Sequence, residues 1–570
     1  PPARGRVQRV PPPGEPLRRV PLLRPAAGST DLSVKLSLQP LRLEGPNVSM
    51  VTRSLNGTIP GAALGVPPGG RLRVHIENAL DDPRGPAQPN NYQRPNTTNL
   101  HVHGWHVSPA RPGDDVLRTI LSPGKAWQYE YRLLPDHSPG TYWLHTHSHG
   151  SAVLQTGAGT AAPLLVLDPP GFLSPQLEAM EDTVLMFQAL PRAILETAAK
   201  TAHDGLLRID SWDWGPELWL VNGAPRPVVH AQPGAWQRLR LIAAGDTSWL
   251  NLDFGSCEVA LLAKDGVYIR DFPRRVPAVR LPPGGRSDVV VRCPAGPGGR
   301  AALHGVASQA APAGRAKAFV GPIFSIGVAG PPGGGLAAEA LRPWAPASTP
   351  RYLRDLRHAA PACTCATSMG LGGNTRWMAG HLWEGKTRYL HRSPQNAVVE
   401  RRLSGLDKHA YHAHNYPFQL TQAPHGDDPY FKAGDWHDTY LNVNDSQASV
   451  RFATVDFAGP QVVHCHMLGH SDKGMIAVEM VNGSGPAACG CDLLSLEERR
   501  PTVPEGAAAT QGPDASEPLV VLAAALCASM VAMVAVAGAH LVKAWRLEVG
   551  LHYATLPGGP APEGTRATDA

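Results

Sequence analysis

Eight histidines of this chain form four pairs whose spacing suits metal binding. The pairs are His101 and His103, His145 and His147, His412 and His414, and His464 and His466. On a β-strand, residues i and i+2 point to the same face, so each pair presents two imidazoles side by side. Neutral imidazole binds copper, zinc, iron and nickel. One pair would equally fit a surface or core-edge position, but four pairs in one chain favour a metal centre.

The last of these pairs lies in a segment that also contains sulfur ligands. Its candidate ligands are His464, Cys465, His466, His470 and Met475. A thiolate, two imidazoles and a weak axial thioether are the ligand set of a blue-copper electron-transfer site, and His409 is the candidate for the second imidazole. Adjacent strand residues point to opposite faces, so Cys465 and its flanking histidines are expected to bind different metal ions. A few covalent bonds would then connect two metal centres.

Composition and local patterns indicate that β-strands position these residues. The 570 residues include 59 Gly and 58 Pro, and only 17% are charged, as in turn-rich β proteins. A Pro-Gly turn followed by an alternating strand occurs at 67–77, 122–132, 232–242 and 281–292. In the first, Leu72, Val74 and Ile76 are predicted to face a core. The recurrence predicts duplicated β-sandwich domains.

The predicted organisation is three β-sandwiches between two less regular ends. The sandwiches are placed at 31–168, 169–330 and 376–483, with a Gly/Pro/Ala-rich linker at 331–375. Residues 1–30 are rich in Arg and Pro and are predicted to be disordered. Residues 484–518, rich in Pro, Gly, Ala and Glu, are predicted to form a stalk.

A membrane anchor is predicted after the stalk. Residues 519–542 contain no charged side chain and are long enough to span a bilayer as a helix. Acidic residues precede this segment, while Lys543 and Arg546 follow it. The positive-inside rule therefore predicts a single-pass type I protein, with an extracellular or lumenal body and a cytoplasmic tail at 543–570. A buried soluble helix is the alternative.

Charge, cysteines and glycosylation sequons bear on compartment and partners. A net charge of +5 is small for this length and argues against nucleic acid as a partner. Eight cysteines are too few for a disulfide scaffold, although one or two bridges fit an oxidising compartment. Cys363 and Cys365 could pair with Cys489 and Cys491 or hold a metal. Sequons compatible with a glycoprotein lie at Asn47, Asn56, Asn96, Asn444 and Asn482.

The four histidine motifs resemble those of the multicopper oxidase family, which includes laccases, bilirubin-oxidase-like enzymes and metallo-oxidases. The segments TNLHVHGWHVSP, DHSPGTYWLHTHSHG and HAHNYPFQL are most similar to the bacterial-type branch. The resemblance covers about residues 31–483. It implies an all-β fold of three cupredoxin-like, Greek-key β-sandwiches that bind four copper ions, with the trinuclear cluster between the first and third.

The resemblance also implies a role for each ligand. Type 1 copper would be held by His409, Cys465 and His470, with Met475 axial. Type 2 copper would be held by His101 and His412. The type 3 pair would be held by His103, His145, His147, His414, His464 and His466.

The activity implied by the resemblance is oxidation of a reducing substrate coupled to reduction of dioxygen to water. Single electrons would enter at type 1 copper and pass from Cys465 through His464 and His466 to the trinuclear cluster. Asp114 stands where relatives keep an acid for proton delivery, although it could also cap a loop turn. Ser471 replaces a glutamate common in relatives, so proton delivery is expected to differ here.

Three functional hypotheses remain open from the sequence. The first is a laccase-like oxidase of phenols or similar organic reductants, and the second is a metallo-oxidase of Fe(II), Cu(I) or Mn(II). The third is a copper-binding protein without turnover. The complete ligand set argues against the third. Expected partners are dioxygen and a small-molecule or metal-ion reductant, and we expect a monomer.

Overall fold

The computed structural model describes residues 6–81, 92–93, 96–192, 195, 206–207, 217–246, 248–310, 317–372, 375–385, 388–424, 429–442, 444, 446–482 and 489–494. In these residues, no helix combines the length and apolar character needed to cross a membrane. The predicted span at 519–542 and the tail at 543–570 lie outside the described residues, as does most of the predicted stalk. They therefore remain predictions.

The first domain is a sandwich of two mixed sheets. Its strands are β1 (Arg6–Arg9), β2 (Leu22–Leu23), β3 (Asp31–Gly45), β4 (Val48–Leu55), β5 (Ala63–Val66), β6 (Arg71–Asn78), β7 (Tyr92–Gln93), β8 (His101–His103), β9 (Ala126–Arg132), β10 (Gly140–His145) and β11 (Ala161–Val166). One sheet has the order β1-β3-β6-β9, with β4 beside β3. The other has the order β2-β5-β11-β10-β8 and ends at the first histidine pair.

The predicted alternating strands are present. The four Pro-Gly turn patterns of the sequence lead into β6, β9 and two strands of the second domain. On β6, Leu72, Val74 and Ile76 are fully buried, and they pack in one cluster with Leu64 of β5 and Leu164 of β11. This packing of apolar faces joins the two sheets.

The prediction that residues 1–30 are disordered is wrong for residues 6–30. Strand β1 pairs in parallel with β3, and β2 pairs in parallel with β5. Val10 is buried against Leu41 and Leu43 of β3. Composition suggested disorder because the segment has few apolar residues, but unpaired sheet edges bind such a segment mainly through its backbone.

The second domain is also a two-sheet sandwich. Its strands are β12 (Glu181–Pro191), β13 (Leu206–Leu207), β14 (Glu217–Val221), β15 (Val228–Ala231), β16 (Gln237–Ala243), β17 (Leu250–Asp253), β18 (Glu258–Lys264), β19 (Val267–Tyr268), β20 (Arg274–Arg275), β21 (Val279–Leu281), β22 (Arg286–Arg292), β23 (Ala302–Ser308) and β24 (Gly321–Val328). The sheets have the orders β14-β12-β16-β22-β18-β19, with β20 beside β18, and β15-β24-β23-β17-β21. Separately, β13 pairs with β7 of the first domain.

The third domain begins earlier than predicted. Its strands are β25 (Cys363–Gly372), β26 (Thr375–Met378), β27 (Tyr389–Pro394), β28 (Val398–Ser404), β29 (Tyr411–Ala413), β30 (Phe418–Leu420), β31 (Trp436–His437), β32 (Thr439–Tyr440), β33 (Gln447–Ala453), β34 (Gly459–Cys465) and β35 (Ile476–Asn482). The sheets have the orders β26-β25-β28-β33-β30-β31 and β27-β35-β34-β29-β32. Strand β25, which was assigned to the linker, pairs in parallel with β28. The predicted linker end at residue 375 is therefore wrong.

Short helices connect the strands. The α-helices are α1 (Ala152–Gln155), α2 (Pro175–Glu178) and α3 (Leu468–Asp472), and 3₁₀ turns span Pro297–Gly299, Gly335–Ala338 and Arg351–Leu353. Helix α2 begins after Ser174, whose hydroxyl accepts a hydrogen bond from the Leu177 amide at 3.3 Å. A mostly β fold, as predicted, is confirmed.

Three disulfides lie in the body. They are Cys257–Cys293, Cys363–Cys489 and Cys365–Cys491, and Cys465 is the free cysteine of the described residues. The two Cys-x-Cys segments therefore pair with each other rather than hold a metal. They attach residues 489–494, which were predicted to begin the stalk, to the third domain. This part of the stalk prediction is wrong.

Candidate metal centre

Strand pairing brings the histidine motifs together. In the first domain, β8 runs antiparallel to β10, with His101 opposite His145 and His103 opposite Trp143. In the third domain, β29 runs antiparallel to β34, with His412 opposite His464 and Tyr411 opposite Cys465. These two registers place each motif beside a second one, although the paired residues are dozens of positions apart in the chain.

Eight histidines from the two domains form one buried cluster. Their ligand atoms approach within 4.8 Å of one another in three groups, which are His101, His103 and His412; His103, His145 and His466; and His147, His414 and His464. The Nε2 atom of His147 lies 3.0 Å from that of His464 and 3.2 Å from that of His414. The first and third domains therefore meet at this cluster.

In four rings of the cluster, an oxygen acceptor holds the outer nitrogen. Nδ1 of His101 lies 2.8 Å from a carboxylate oxygen of Asp114, and Nδ1 of His412 lies 2.8 Å from the Asp438 carbonyl. Nδ1 of His464 and of His145 donate to the carbonyls of Cys465 and Thr146, at 2.9 and 3.0 Å. With Nδ1 donating, Nε2 of each ring keeps its lone pair and points inward.

The inner nitrogens of the cluster fit a set of metal ions. Burial, and after it the charge of the neighbouring His147, lowers the pKa of His145 to about 3. Burial lowers the pKa of His147 itself to about 4. Neutral rings that aim lone pairs at one another at 3.0–3.4 Å repel unless a cation lies between them. Both ring nitrogens of His466 are buried without a hydrogen-bond partner in the described part of the chain.

A second site lies on the other side of Cys465. The Cys465 thiol is 3.7 Å from Nδ1 of His409 and 3.7 Å from Nδ1 of His470, and these two nitrogens are 3.1 Å apart. Met475 is fully buried, and its carbonyl accepts a hydrogen bond from the Cys465 amide at 3.1 Å. His470, on α3, is half-buried, so this site has an edge near solvent.

The thiol of this second site is protonated unless a cation binds beside it. Burial raises the pKa of the Cys465 thiol to about 12. Burial also lowers the pKa of His409 to about 4, so that its ring is neutral. A metal ion would stabilise the thiolate and use the imidazole lone pairs.

The structure places the two neighbours of Cys465 in the histidine cluster, with His464 beside His147 and His466 beside His103 and His145. The thiol itself faces His409 and His470. This alternation is what a strand imposes on consecutive residues. The two sites are therefore joined by the backbone of residues 464–466.

Asp114 lies directly behind the cluster. One carboxylate oxygen contacts His101 and, at 3.3 Å, the Asn415 amide, while the other accepts a hydrogen bond from the Val102 amide at 3.1 Å. Burial raises the pKa of this carboxyl well above its usual value. A residue that only caps a loop turn would not contact a cluster histidine, as Asp114 does.

Asp438 and Arg286 were missed in the sequence. Asp438 lies 3.0 Å from Nε2 of His103 and forms a two-pronged ion pair with Arg286 of the second domain. Burial raises the pKa of Asp438 to about 6, against the opposing charge of Arg286. No sequence motif identified these residues as functional. Asp438 follows a short strand, and Arg286 begins a strand whose Pro-Gly turn pattern predicted only a β-strand.

Other conspicuous histidines have structural contacts. His106 contacts the Asn415 carbonyl at 2.7 Å and the Asp456 carboxylate at 3.0 Å. His137 accepts a hydrogen bond from the His106 amide at 3.0 Å, and His437 lies 3.1 Å from an Asp265 carboxylate oxygen. These three rings therefore contact residues around the cluster. His425, Asp427 and Asp428 lie outside the described residues.

Two models of the same protein family match the segments that hold these residues. Both are described as multicopper oxidase, and they match residues 87–171 and 365–484. Together the two segments contain all ten histidines of the two sites, Cys465 and Met475. The chain belongs to the multicopper oxidase family. The predictions of an oxidase and of copper as its cofactor are thereby confirmed.

Two curated relatives of this multicopper oxidase match it to different extents. The multicopper oxidase MmcO of Mycobacterium tuberculosis is 26% identical over 487 residues, which cover 79% of this chain and 87% of the relative. The iron transport multicopper oxidase FET3 of Kluyveromyces lactis is 23% identical over 226 residues, covering 38% of this chain and 31% of that protein.

Solved structures share the fold of this multicopper oxidase. A multicopper oxidase of Campylobacter jejuni, described as a metallo-oxidase, superposes with a TM-score of 0.64 at 20% identity, over 82% of this chain and 96% of that one. A laccase-like multicopper oxidase of Ochrobactrum sp. gives a TM-score of 0.63 at 20% identity, over 82% of this chain and 100% of that one. Both agree with a mostly β fold of cupredoxin-like β-sandwiches.

Proposed function

We propose that this multicopper oxidase couples one-electron oxidation of an organic, phenol-type reductant to the reduction of dioxygen to water. The observation that carries the proposal is a thiol site, buried except at the half-buried ring of His470, that is joined through residues 464–466 to a buried imidazole cluster. When bound, copper supplies the one-electron redox steps and binds dioxygen. The protein supplies the donor atoms, fixes their orientation and shields the buried cluster from water.

The ligand groups support an assignment of four copper positions. The type 1 copper would be held by His409, Cys465 and His470, which form one of these ligand groups, with Met475 as a further ligand proposed from the sequence. The type 2 position takes His101 and His412. One type 3 position takes His103, His145 and His466, and the other takes His147, His414 and His464.

The charges around the type 1 position support an organic reductant. After the larger effect of burial, the charges of Arg376 and Lys408 lower the pKa of His409. Arg376 and Lys473 likewise lower the pKa of His470, after burial and His409. These nearby cations would attract a phenolate and repel Fe(II), Cu(I) or Mn(II).

Oxygen consumption with a panel of reductants tests this proposal. With matched oxygen, we expect a higher kcat/KM for phenols than for Fe(II), and a strong preference for Fe(II) would contradict the organic assignment. Cys465→Ser is expected to lose the blue band of type 1 copper and the turnover of every reductant. If Cys465→Ser kept both, the copper assignment itself would be wrong.

A charge variant separates the role of the positive field from general effects. Lys408→Glu is expected to lower kcat/KM for a phenolate about tenfold and to raise it for Fe(II). Lys125→Glu, an equal charge change at an exposed position of the first domain, is the matched control and is expected to change neither. Equal effects of the two variants would remove the argument from charge.

Oxidation of a metal ion is the second candidate function. It is favoured by relatives whose names describe iron transport and a metallo-oxidase. Asp427 and Asp428, which follow the third histidine pair in the sequence and lie outside the described residues, are the candidate carboxylates for binding the cation. Replacing both with Asn would lower Fe(II) oxidation and leave phenol oxidation unchanged if this candidate is correct.

We also propose that the protein is a single-pass membrane protein with an extracellular or lumenal body. Three disulfides in the body fit an oxidising compartment. Residues 519–542 have the length and composition of a membrane span. Protease protection of the tail, with digestion of the body in intact cells, is the expected result, and release of the whole chain by alkaline carbonate would contradict the anchor.

Two of the five sequons are poor glycosylation sites by their contacts. Asn56 accepts a hydrogen bond from the Ser37 amide at 2.7 Å and donates to the Lys35 carbonyl at 3.1 Å. Asn96 accepts from Arg53 and donates to the Asp81 carbonyl at 2.7 Å. A glycan would replace one N–H hydrogen of either amide and would have to fit beside these contacts.

A further inference from the structure

The second domain contributes none of the candidate metal ligands, yet one of its turns reaches the histidine cluster. This turn joins β21 to β22 and contains Gly284 and Gly285. The Gly284 amide donates to the Ala243 carbonyl at 2.8 Å, and the Ala243 amide donates to the Gly285 carbonyl at 3.0 Å. The turn is therefore fixed to β16, and its position is set by the sheet of the second domain.

Gly284 packs directly on the ring of His466. Its backbone has a φ of +88°, and a Cβ atom at this position would lie 2.8 Å from Cγ and Cδ2 of His466. Such a distance is below any normal carbon–carbon contact. Because Gly284 has no side chain, the turn can pack against the face of the His466 imidazole. Neither nitrogen of this ring has a hydrogen-bond partner among the described residues.

Arg286, two residues further on, forms the second contact. Its Nη1 and Nη2 atoms donate to the two Asp438 carboxylate oxygens at 2.6 and 2.5 Å, in a geometry that suits a carboxylate. The Arg286 amide donates to the Asp265 carboxylate at 2.9 Å. The guanidinium is fully buried, so its charge is balanced only by these two acids within the described contacts.

Asp438 transmits this contact to the cluster. One carboxylate oxygen lies 3.0 Å from Nε2 of His103, and the backbone carbonyl accepts from Nδ1 of His412 at 2.8 Å. With Nε2 of His103 donating, its Nδ1 is left to face Nε2 of His145 at 3.4 Å. Gly104 leaves room for the ion pair, because a Cβ atom there would meet both Arg286 and Asp438.

We propose that the second domain positions the group of His103, His145 and His466 through Gly284 and Arg286. Gly284 sets the face of His466, and Arg286 sets Asp438 and thereby the tautomer and orientation of His103. Both are positioning residues, since neither contacts the reacting molecules. The inference rests on the copper assignment proposed above.

Substitution of Arg286 is the first test. Arg286→Met is expected to weaken copper binding at the trinuclear cluster about 10- to 100-fold, as the loss of a partner behind a metal ligand typically does. Arg286→Lys keeps the charge without the two-pronged geometry and is expected to fall between wild type and Arg286→Met. Arg238→Lys is the matched control, because Arg238 is equally buried in the same sheet and pairs with Asp288.

The readouts separate the trinuclear cluster from the type 1 site. They are copper content per chain after competition with a chelator, the near-ultraviolet band of the coupled type 3 pair, and the blue band of type 1 copper. In both Arg286 variants, we expect the first two to fall while the blue band persists. In Arg238→Lys, all three are expected to match wild type, although its unfolding temperature falls.

Substitution of Gly284 is an independent test that leaves every charge in place. Gly284→Ala is expected to deplete the same copper, because its methyl group displaces His466. Gly234→Ala is the matched control, since Gly234 also has a positive φ, +73°, but no neighbouring atom lies within 4 Å of its Cβ position. Both variants bear the backbone strain, and only the first touches the cluster.

Distinct outcomes decide the copper assignment and the inference. Wild type without a trinuclear copper signal would overturn the assignment. The positioning role would be overturned if wild type shows the trinuclear copper signal and the signal is unchanged in Arg286→Lys and Gly284→Ala. A parallel loss of the blue band and the trinuclear signal would also overturn it, because it would indicate general misfolding.

Discussion

Asp114 contacts both a cluster histidine and the surrounding backbone, which suits an acid that orients a ligand and handles protons. It is buried, and its carboxyl lies 2.8 Å from His101. Ser471, the position where an acid was expected, is buried in α3, and the next residue supplies a carboxyl instead. Asp472 accepts hydrogen bonds from the amides of Gly150 and Val153, and burial raises its pKa to about 7.

Asp114→Asn tests the proton role at the residue scale. The amide keeps the shape of the side chain but cannot release a proton, so we expect kcat for oxygen reduction to fall about 100-fold. The kcat/KM for the reductant is expected to stay the same, because the reductant reacts at the other copper site. The measurement is steady-state oxygen uptake between pH 4 and pH 8.

Asp115→Asn is the control for this experiment. Asp115 is the adjacent buried acid, but its carboxylate pairs with Arg118 at 2.6 Å instead of a cluster histidine. We expect its kcat to remain close to that of wild type. An Asp114→Asn enzyme with normal kcat across this pH range would show that protons reach the cluster by another route.

At the scale of elements, two disulfides bind the same two segments. Cys363–Cys489 and Cys365–Cys491 each link β25 to residues 489–491, with a sequence separation of 126 in both cases. Either bridge alone closes a loop of the same length. Most of the entropy that a cross-link removes from the unfolded chain is therefore removed by the first bridge.

Removal of these bridges is expected to be strongly non-additive. Changing the two cysteines of one bridge to Ser should lower the free energy of unfolding by less than about 1 kcal/mol, whereas changing all four should lower it by about 4 kcal/mol. Denaturant unfolding measures both effects, with copper content as a check on the sites. Equal and additive losses would mean that each bridge acts through its own local contacts.

At the scale of the whole molecule, many buried histidines make the copper-free protein sensitive to acid. Burial is the main cause that lowers the pKa of His106 and His147 to about 4, from 6.5 in the unfolded chain. Such groups stabilise the fold above pH 6.5 and lose that contribution as the pH falls through about 4. Asp246 and Asp472, with pKa values raised to about 7, act in the opposite direction as the pH rises.

We therefore expect the unfolding temperature of the copper-free protein to fall steeply between about pH 6.5 and pH 4. Each histidine whose pKa falls by about 2.5 contributes roughly 3 kcal/mol to this loss. Copper should raise the unfolding temperature and move the acid transition to lower pH, since protons compete with the metal for the same nitrogens. Scanning calorimetry with and without copper measures this, and a copper-free protein that is most stable at pH 4 would contradict it.

The candidate ligands, the mostly β fold and the family resemblance could be predicted from the sequence, because they depend on neighbouring residues. The i, i+2 spacing of His464 and His466 around Cys465 determines by itself that thiol and imidazoles face opposite sides of a strand. The alternation in β6 likewise determines which face is buried.

Only the tertiary structure decided which distant residues meet. The grouping of His147 with His414 and His464, and the pairing of Cys363 with Cys489, depend on strand register and on the docking of whole domains. The contact of Arg286 with Asp438 joins two domains across 152 positions of chain. The local sequence around either residue does not identify its partner, because such a contact arises only when sheets of separate domains pack against each other.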